Sequence, residues 1–148
     1  MYGDEVFFNQ VVTVWNRRRA TKNSLEAKEV WYPTVISNVR LLVTRGNNII
    51  KSGLESADSA RLHILDGVSI VSKTFKNRVD WDALDEAEAQ NFWTLDSDNY
   101  TFFVEGDLSG ISVVPNFFEE IKKSYNNCFR ISSVDRFELI PHWEVWGK

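Results

Sequence analysis

The residues able to do chemistry in this chain are few and scattered. Two histidines, His63 and His142, one cysteine, Cys128, and a number of carboxylates make up the whole supply. A nucleophile–base pair or a metal site needs such groups to converge. His63 stands in an alternating run over 59–65, where Leu62 and Ile64 oppose Arg61, His63 and Leu65. It therefore reads as a surface strand residue, because a ligand or a base needs company that its sequence neighbours do not supply. Cys128 precedes Phe129, which opens a strand, and reads as a small core residue. The two histidines and the cysteine lie far apart in sequence, and only the fold could bring them together.

Two groups of carboxylates stand out. Asp80, Asp82, Asp85, Glu86 and Glu88 could gather a cation, but alanines at 83, 87 and 89 make a short helix over 81–89, so the acids read as its solvated face. Asp96-Ser97-Asp98-Asn99 begins with calcium-loop spacing. The pattern then fails, with Tyr100 at the fifth position, Thr101 where glycine is required and Asp107 where a bidentate glutamate belongs. It reads instead as the turn of a hairpin joining strands at 92–95 and 100–105. Arg17, Arg18 and Arg19 could contact phosphate, but a solvated loop between two strands accounts for them as well, with Glu26 and Glu29 close behind. No G-x-S-x-G, P-loop, dinucleotide-binding glycine pattern or H-E-x-x-H occurs. The expectation is a non-enzyme with no catalytic residue, cofactor or metal.

The elements that would position these groups are mostly strands. Residues 10–15 alternate, with Val12 and Val14 on one face and Val11, Thr13 and Trp15 on the other. Residues 30–44 form one bent strand or two short ones. Further strands are expected at 59–65, within 68–75, at 111–114 and at 129–134. Pro141 interrupts the chain, and His142, Glu144 and Trp146 then alternate with Trp143 and Val145 in a closing strand. The best helix begins at Pro115-Asn116, with Asn116 and Glu119 at capping-box spacing and Phe117, Ile121 and Tyr125 on one stripe. Between strands, residues 45–58 read as a long loop inserted in the domain. Arg45, Asn47, Asn48, Ile49, Ile50, Lys51, Leu54 and Glu55 are its candidates for contact with a partner. The predicted fold is mainly β (α+β): a small closed or partly open antiparallel β-barrel, a sheet rolled on itself with one well-defined helix and a long loop.

With 148 residues and no linker or repeat, the chain reads as a single β-rich domain, long enough to bury a core without staples. A net charge of −4 argues against a dedicated nucleic-acid binder. A single cysteine excludes an internal disulfide and fits a reducing compartment. No apolar run approaches a membrane span and no signal-peptide pattern opens the chain, so no membrane partner and synthesis in the cytoplasm are expected. Aromatics reach 14%, a content that suits sheet packing and subunit contacts.

Taken in order, several segments resemble one family: the VTVWNR strand end at 12–17, YPTVISNVR at 32–40, ARLHIL at 60–65, FWTLDSDNYTFFVEGD at 92–107, and the ISSVDRF strand followed by PHWEVWGK at 141–148. The family is that of small head–tail connector proteins of long-tailed bacteriophages and prophages of Gram-positive bacteria. Ser97 departs from it, standing where glycine is expected. The resemblance implies a head-closure, or stopper, subunit in the virion neck, made in the bacterial host cytoplasm. Such a subunit joins a homo-oligomeric ring between portal or adaptor and tail, close to packaged DNA without specific contact. The ring would be twelvefold for a stopper and sixfold for the alternative, a tail terminator. A monomeric β-barrel binding module is the reading from another class. Under the neck reading, residues 45–58 serve gating or partner contact, Arg17, Arg18 and Arg19 face other subunits or the portal, and His142, Trp143 and Trp146 belong to a structural C-terminal strand.

Overall fold

The computed structural model describes residues 7–18, 30–50, 53–56, 58–98 and 100–148. Its strands are β1 (Gln10–Arg17), β2 (Trp31–Thr44), β3 (Asn47–Ile50), β4 (Gly53–Ser56), β5 (Ser59–Leu65), β6 (Ile70–Val71), β7 (Thr74–Phe75), β8 (Phe92–Trp93), β9 (Phe102–Glu105), β10 (Cys128–Phe137) and β11 (His142–Gly147). Helices α1 (Arg78–Asp82) and α2 (Glu86–Ala89) are short, and α3 (Phe117–Ser124) is the longest.

Two long strands change partners midway, and this closes the sheet. The first half of β2 pairs with β1, from Arg17↔Trp31 to Val11↔Ser37. Its second half pairs with β5, from Arg40↔His63 to Thr44↔Ser59. The bend falls at Asn38, whose φ of 54° lies in the left-handed region that asparagine tolerates better than most residues. Ser69 anchors the bend by donating from Oγ to the Asn38 carbonyl at 2.6 Å. In the same way β10 gives residues 128–130 to β9 and residues from Ile131 onward to β11. The order β1-β9-β10-β11-β5-β2 returns to β1, making a closed six-stranded antiparallel barrel, and β6 adds to β2 outside the ring. The 30–44 region is therefore one bent strand.

Each face of β1 serves a different core. Val12 and Val14 point into the barrel, where Ile36, Leu62, Phe103 and Val145 are likewise fully buried. Trp15 points outward, yet it too is buried, because α3 covers that side. Phe117 meets Trp15 edge-on at 4.7 Å, and Phe118 meets Phe102 at 5.1 Å. Aromatic pairs of this kind contribute about 0.5–1.5 kcal/mol each beyond area burial. Thr13 and Asn16 on the covered strand find hydrogen-bond partners. Thr13 Oγ1 donates to Gly106 O at 2.7 Å and accepts from Leu108 N at 2.9 Å, while Asn16 Nδ2 donates to Thr94 O at 2.8 Å. Four of the six tryptophans, at 15, 31, 81 and 93, are buried, so much of the aromatic surplus goes to internal packing.

Local chemistry departs from the sequence expectations at four places. The 81–89 helix is two helices, because Asp85 takes an extended N-cap conformation and accepts from Glu88 N at 2.8 Å. The capping box at Asn116 does not form. Its φ of 57° is left-handed, whereas side-chain capping needs an extended N-cap, and Tyr125 lies beyond the helix end with 37% exposure. The 92–95 and 100–105 segments are not a hairpin: β8 pairs in parallel with β7, and β9 pairs with β1 and β10. Their turn does exist, with Asp98 Oδ1 accepting from Tyr100 N at 2.9 Å and Thr101 N at 2.8 Å. Residues 111–114 form no strand, and Val113 and Val114 are exposed.

Cys128 is 1% exposed in the core beneath α3, and burial pushes its thiol pKa up to about 12. The thiolate is the reactive form. Native protein at pH 8 is therefore expected to resist iodoacetamide, while denatured protein takes one label per chain. Intact-mass spectrometry checks this, and prompt labelling of the native state would contradict the packing.

Candidate functional site

The 45–58 segment is not an irregular loop. Its backbone forms a hairpin, β3–β4, with Asn47↔Ser56, Asn48↔Glu55, Ile49↔Leu54 and Ile50↔Gly53 in register, and it is a two-stranded sheet separate from the barrel. Two four-residue strands rich in Asn and Gly carry too little β-propensity to be read from sequence. Lys51 lies outside the described residues. The hairpin's base is firmly tied. Arg45 Nη1 pairs with Asp58 Oδ2 at 2.8 Å, and Asp58 Oδ1 accepts from Gly46 N at 3.1 Å. Arg45 Nη2 also donates to Asn126 O at 2.8 Å and to the Asn127 side chain, which links the base to the α3–β10 turn. The hydrogen bond from Arg45 holds the Asp58 carboxyl below its ordinary pKa.

Of the three arginines, Arg17 and Arg18 are described and Arg19 is not. Both engage this chain's own groups. The Arg17 guanidinium lies over the Tyr100 ring at 4.3 Å, and Arg18 donates to Leu84 O. Trp143 and Trp146 of β11 also have internal partners: Phe75 lies 4.8 Å from Trp143, and Arg61 lies over Trp146 at 4.9 Å.

The register of β5 against β11 brings together groups that sequence reasoning left apart. Glu144 pairs with His63 and His142 with Leu65, so His63, His142 and Glu144 share the outer face of adjacent strands. His63 Nδ1 is 3.4 Å from Glu144 Oε1, and His142 Nε2 is 3.7 Å from the same oxygen. The three ligand atoms lie within 4.8 Å of one another. All three side chains are about one-fifth exposed. Burial lowers the His63 pKa below the ordinary histidine value, with Glu144 opposing the shift, which favours a neutral ring. The orientation of His142 is set twice. Its Nδ1 lies 2.6 Å from the Ile140 carbonyl, and its ring stacks on Phe137 at 4.7 Å with planes 8° apart. A carbonyl only accepts, so Nδ1 donates to it, and Nε2 is the ring nitrogen turned towards Glu144. The usable sequence signal was the shared outward parity of His63, His142 and Glu144. Using it required knowing that β5 and β11 are neighbours.

A second surface feature lies beside this cluster. The turn from β10 to β11 exposes Leu139 at 98% and Ile140 at 66%, with Phe137 next to them. Large apolar side chains so fully in water mark a surface suited to contact.

Closed barrel, covering helix and a separate hairpin define the class of protein: a small antiparallel β-barrel whose interior is filled by side chains. The chain belongs to the family of unknown function DUF6751, whose profile matches residues 7–148. No curated protein matches it, and no solved structure does.

Proposed function

We propose that this chain is a structural subunit of a phage neck, assembling into a ring between portal or adaptor and tail that closes the head, retains DNA and docks the tail. The observation that carries the reading is the division of the molecule into a sealed barrel and two contact features. The interior is occupied by apolar side chains such as Val12, Ile36, Leu62 and Phe103, all fully buried. That argues against a barrel built to enclose a small ligand. Closure pairs each of the six ring strands with two neighbours, so a partner meeting the ring itself meets side-chain surface. The hairpin with its tied base, and the exposed Leu139 and Ile140 of the β10–β11 turn, suit contacts between unlike surfaces of neighbouring subunits, the kind that closes rings. The net charge of −4 suits a channel that passes DNA without gripping it. The location is what the resemblance of its segments to head–tail connector proteins implies.

Electron microscopy of the source particles, classified at the head–tail junction, tests the reading. A twelvefold ring of this chain above the tail supports a stopper, and a sixfold ring at the tail's upper end supports a terminator instead. Absence of the chain from particles overturns both and leaves the monomeric binding module. Deleting residues 47–56 is expected to leave a folded barrel, because Thr44↔Ser59 still closes the stem. The resulting particles should lose DNA or fail to attach tails, and wild-type particle yield from this deletion would remove the hairpin from the mechanism.

A further inference from the structure

We propose that His63, His142 and Glu144 form a binding site for one divalent transition-metal ion of the zinc class, clasping β11 to β5 on the barrel's outer face. The proposal is independent of the neck reading. Two imidazole nitrogens and a carboxylate oxygen are a donor set that zinc takes, with bonds of roughly 2.0–2.2 Å. Tetrahedral ligand atoms at such distances stand roughly 3.4 Å apart. Here Glu144 Oε1 is 3.4 Å from His63 Nδ1 and 3.7 Å from His142 Nε2, with all three atoms within 4.8 Å of one another, so side-chain rotations that draw the imidazoles together complete the fit.

The second observation is the support behind the ligands. A metal-bound histidine usually donates its other ring N–H to a carbonyl or carboxylate, which fixes the tautomer. His142 has that arrangement, with Nδ1 on Ile140 O and Nε2 turned to the cluster. The backbone is equally fixed, since His63 and Glu144 face each other across two ladder-paired strands. Flanking charges along the same cross-strand row are of opposite sign: Arg40 stands opposite His63 on β2, and Asp135 stands opposite Glu144 on β10. Arg61 on β5 adds a second positive charge near His63, so the donor geometry rather than the surrounding charge carries the site. Three protein ligands leave a fourth position, which faces solvent and takes water. Because His142 directly follows the 138–141 turn, an ion bound here would also hold the exposed Leu139–Ile140 surface in place.

The test uses tag-free, chelator-stripped full-length protein titrated with zinc chloride by calorimetry, with cobalt chloride as the spectroscopic probe. The expected result is one ion per chain, ligand-field absorption of tetrahedral cobalt, and a rise in Tm of roughly 5–10 °C at a hundredfold excess over Kd. His63→Gln and His142→Gln should each weaken binding by at least about a hundredfold. Glu144→Gln, which keeps the side chain's shape, guards against loss of folding as the cause, with circular dichroism of each variant as control. Cys128→Ser should leave binding unchanged, since the thiol lies in the other core. The proposal is overturned if folded wild-type protein binds no ion, or if binding survives in the folded double variant His63→Gln/His142→Gln.

Discussion

Replacing Arg78 by methionine is expected to destabilise the fold by about 3–5 kcal/mol, the usual cost of breaking a buried ion pair from one side. Arg78 is 8% exposed and joins three segments. Its Nη1 lies 2.8 Å from Asp98 Oδ2, its Nε pairs with Asp82 at 3.1 Å, and its Nη2 donates to Arg17 O at 2.9 Å. The Asp98 side chain is only 3% exposed, so removing the guanidinium leaves its carboxylate out of water without the cation that stood 2.8 Å away. A midpoint shift of roughly 2–4 °C per kcal/mol makes the effect plain in thermal unfolding. Asp98→Asn should cost less. Its amide oxygen still accepts from Tyr100 N and Thr101 N, and Arg78 keeps Asp82 and the Arg17 carbonyl. The double variant should then lose less than the sum of the two singles, because the orphaned charge is gone. A single Arg78→Met cost below about 1 kcal/mol would show that this pair is solvated rather than buried.

Gly147 gives the second large effect, through sterics rather than charge. A Cβ at this position would stand 2.7 Å from Phe129 Cβ and 2.9 Å from Phe103 Cζ. The first of these atoms sits directly on the β10 backbone and cannot swing away. Gly147 pairs with Ala60 on one side and Ile131 on the other, so two small residues lie side by side where two phenylalanines fill the barrel. Gly147→Ala is expected to cost about 1–3 kcal/mol and Gly147→Val more, as overpacking of a full core does. Denaturant unfolding should show a lower midpoint with an unchanged slope. In a Phe103→Leu background the added penalty of Gly147→Ala should shrink, since the one clashing ring is gone. Equal penalties in both backgrounds would place the conflict entirely at Phe129.

These two residues mark what was and was not legible in the sequence. Alternation identified β1, β5 and the β10–β11 pair, because Val12/Val14, Leu62/Ile64 and Trp143/Val145 keep period 2 over enough residues to be distinct. The α3 stripe was equally plain at Phe117 and Ile121. What escaped depended on neighbours distant in the chain. Nothing around Asp98 announces Arg78 as its partner; the Asp96–Asp98 spacing instead drew attention to a cation loop. Gly147 read only as part of a closing motif, and its need to be glycine comes from Phe129 and Phe103 on other strands. The candidate metal cluster escaped for the same reason. His63 in isolation is an ordinary outward strand residue, and only the β5–β11 pairing sets Glu144 opposite it. The two-residue strands β7 and β8 are too short for any periodicity, and their parallel pairing is a tertiary outcome.

The hairpin's attachment has a consequence for how proteins built on this plan can vary. β2 and β5 are adjacent antiparallel strands, closed by Thr44↔Ser59 and clamped just beyond by Arg45 and Asp58. Everything distal to that clamp is, thermodynamically, a loop on a finished stem. Doubling the length of such a loop costs only about 0.6 kcal/mol of closure entropy. The reach of this arm can therefore be lengthened or cut back almost independently of the barrel that carries it, as a spacer sized to whatever stands at its tip.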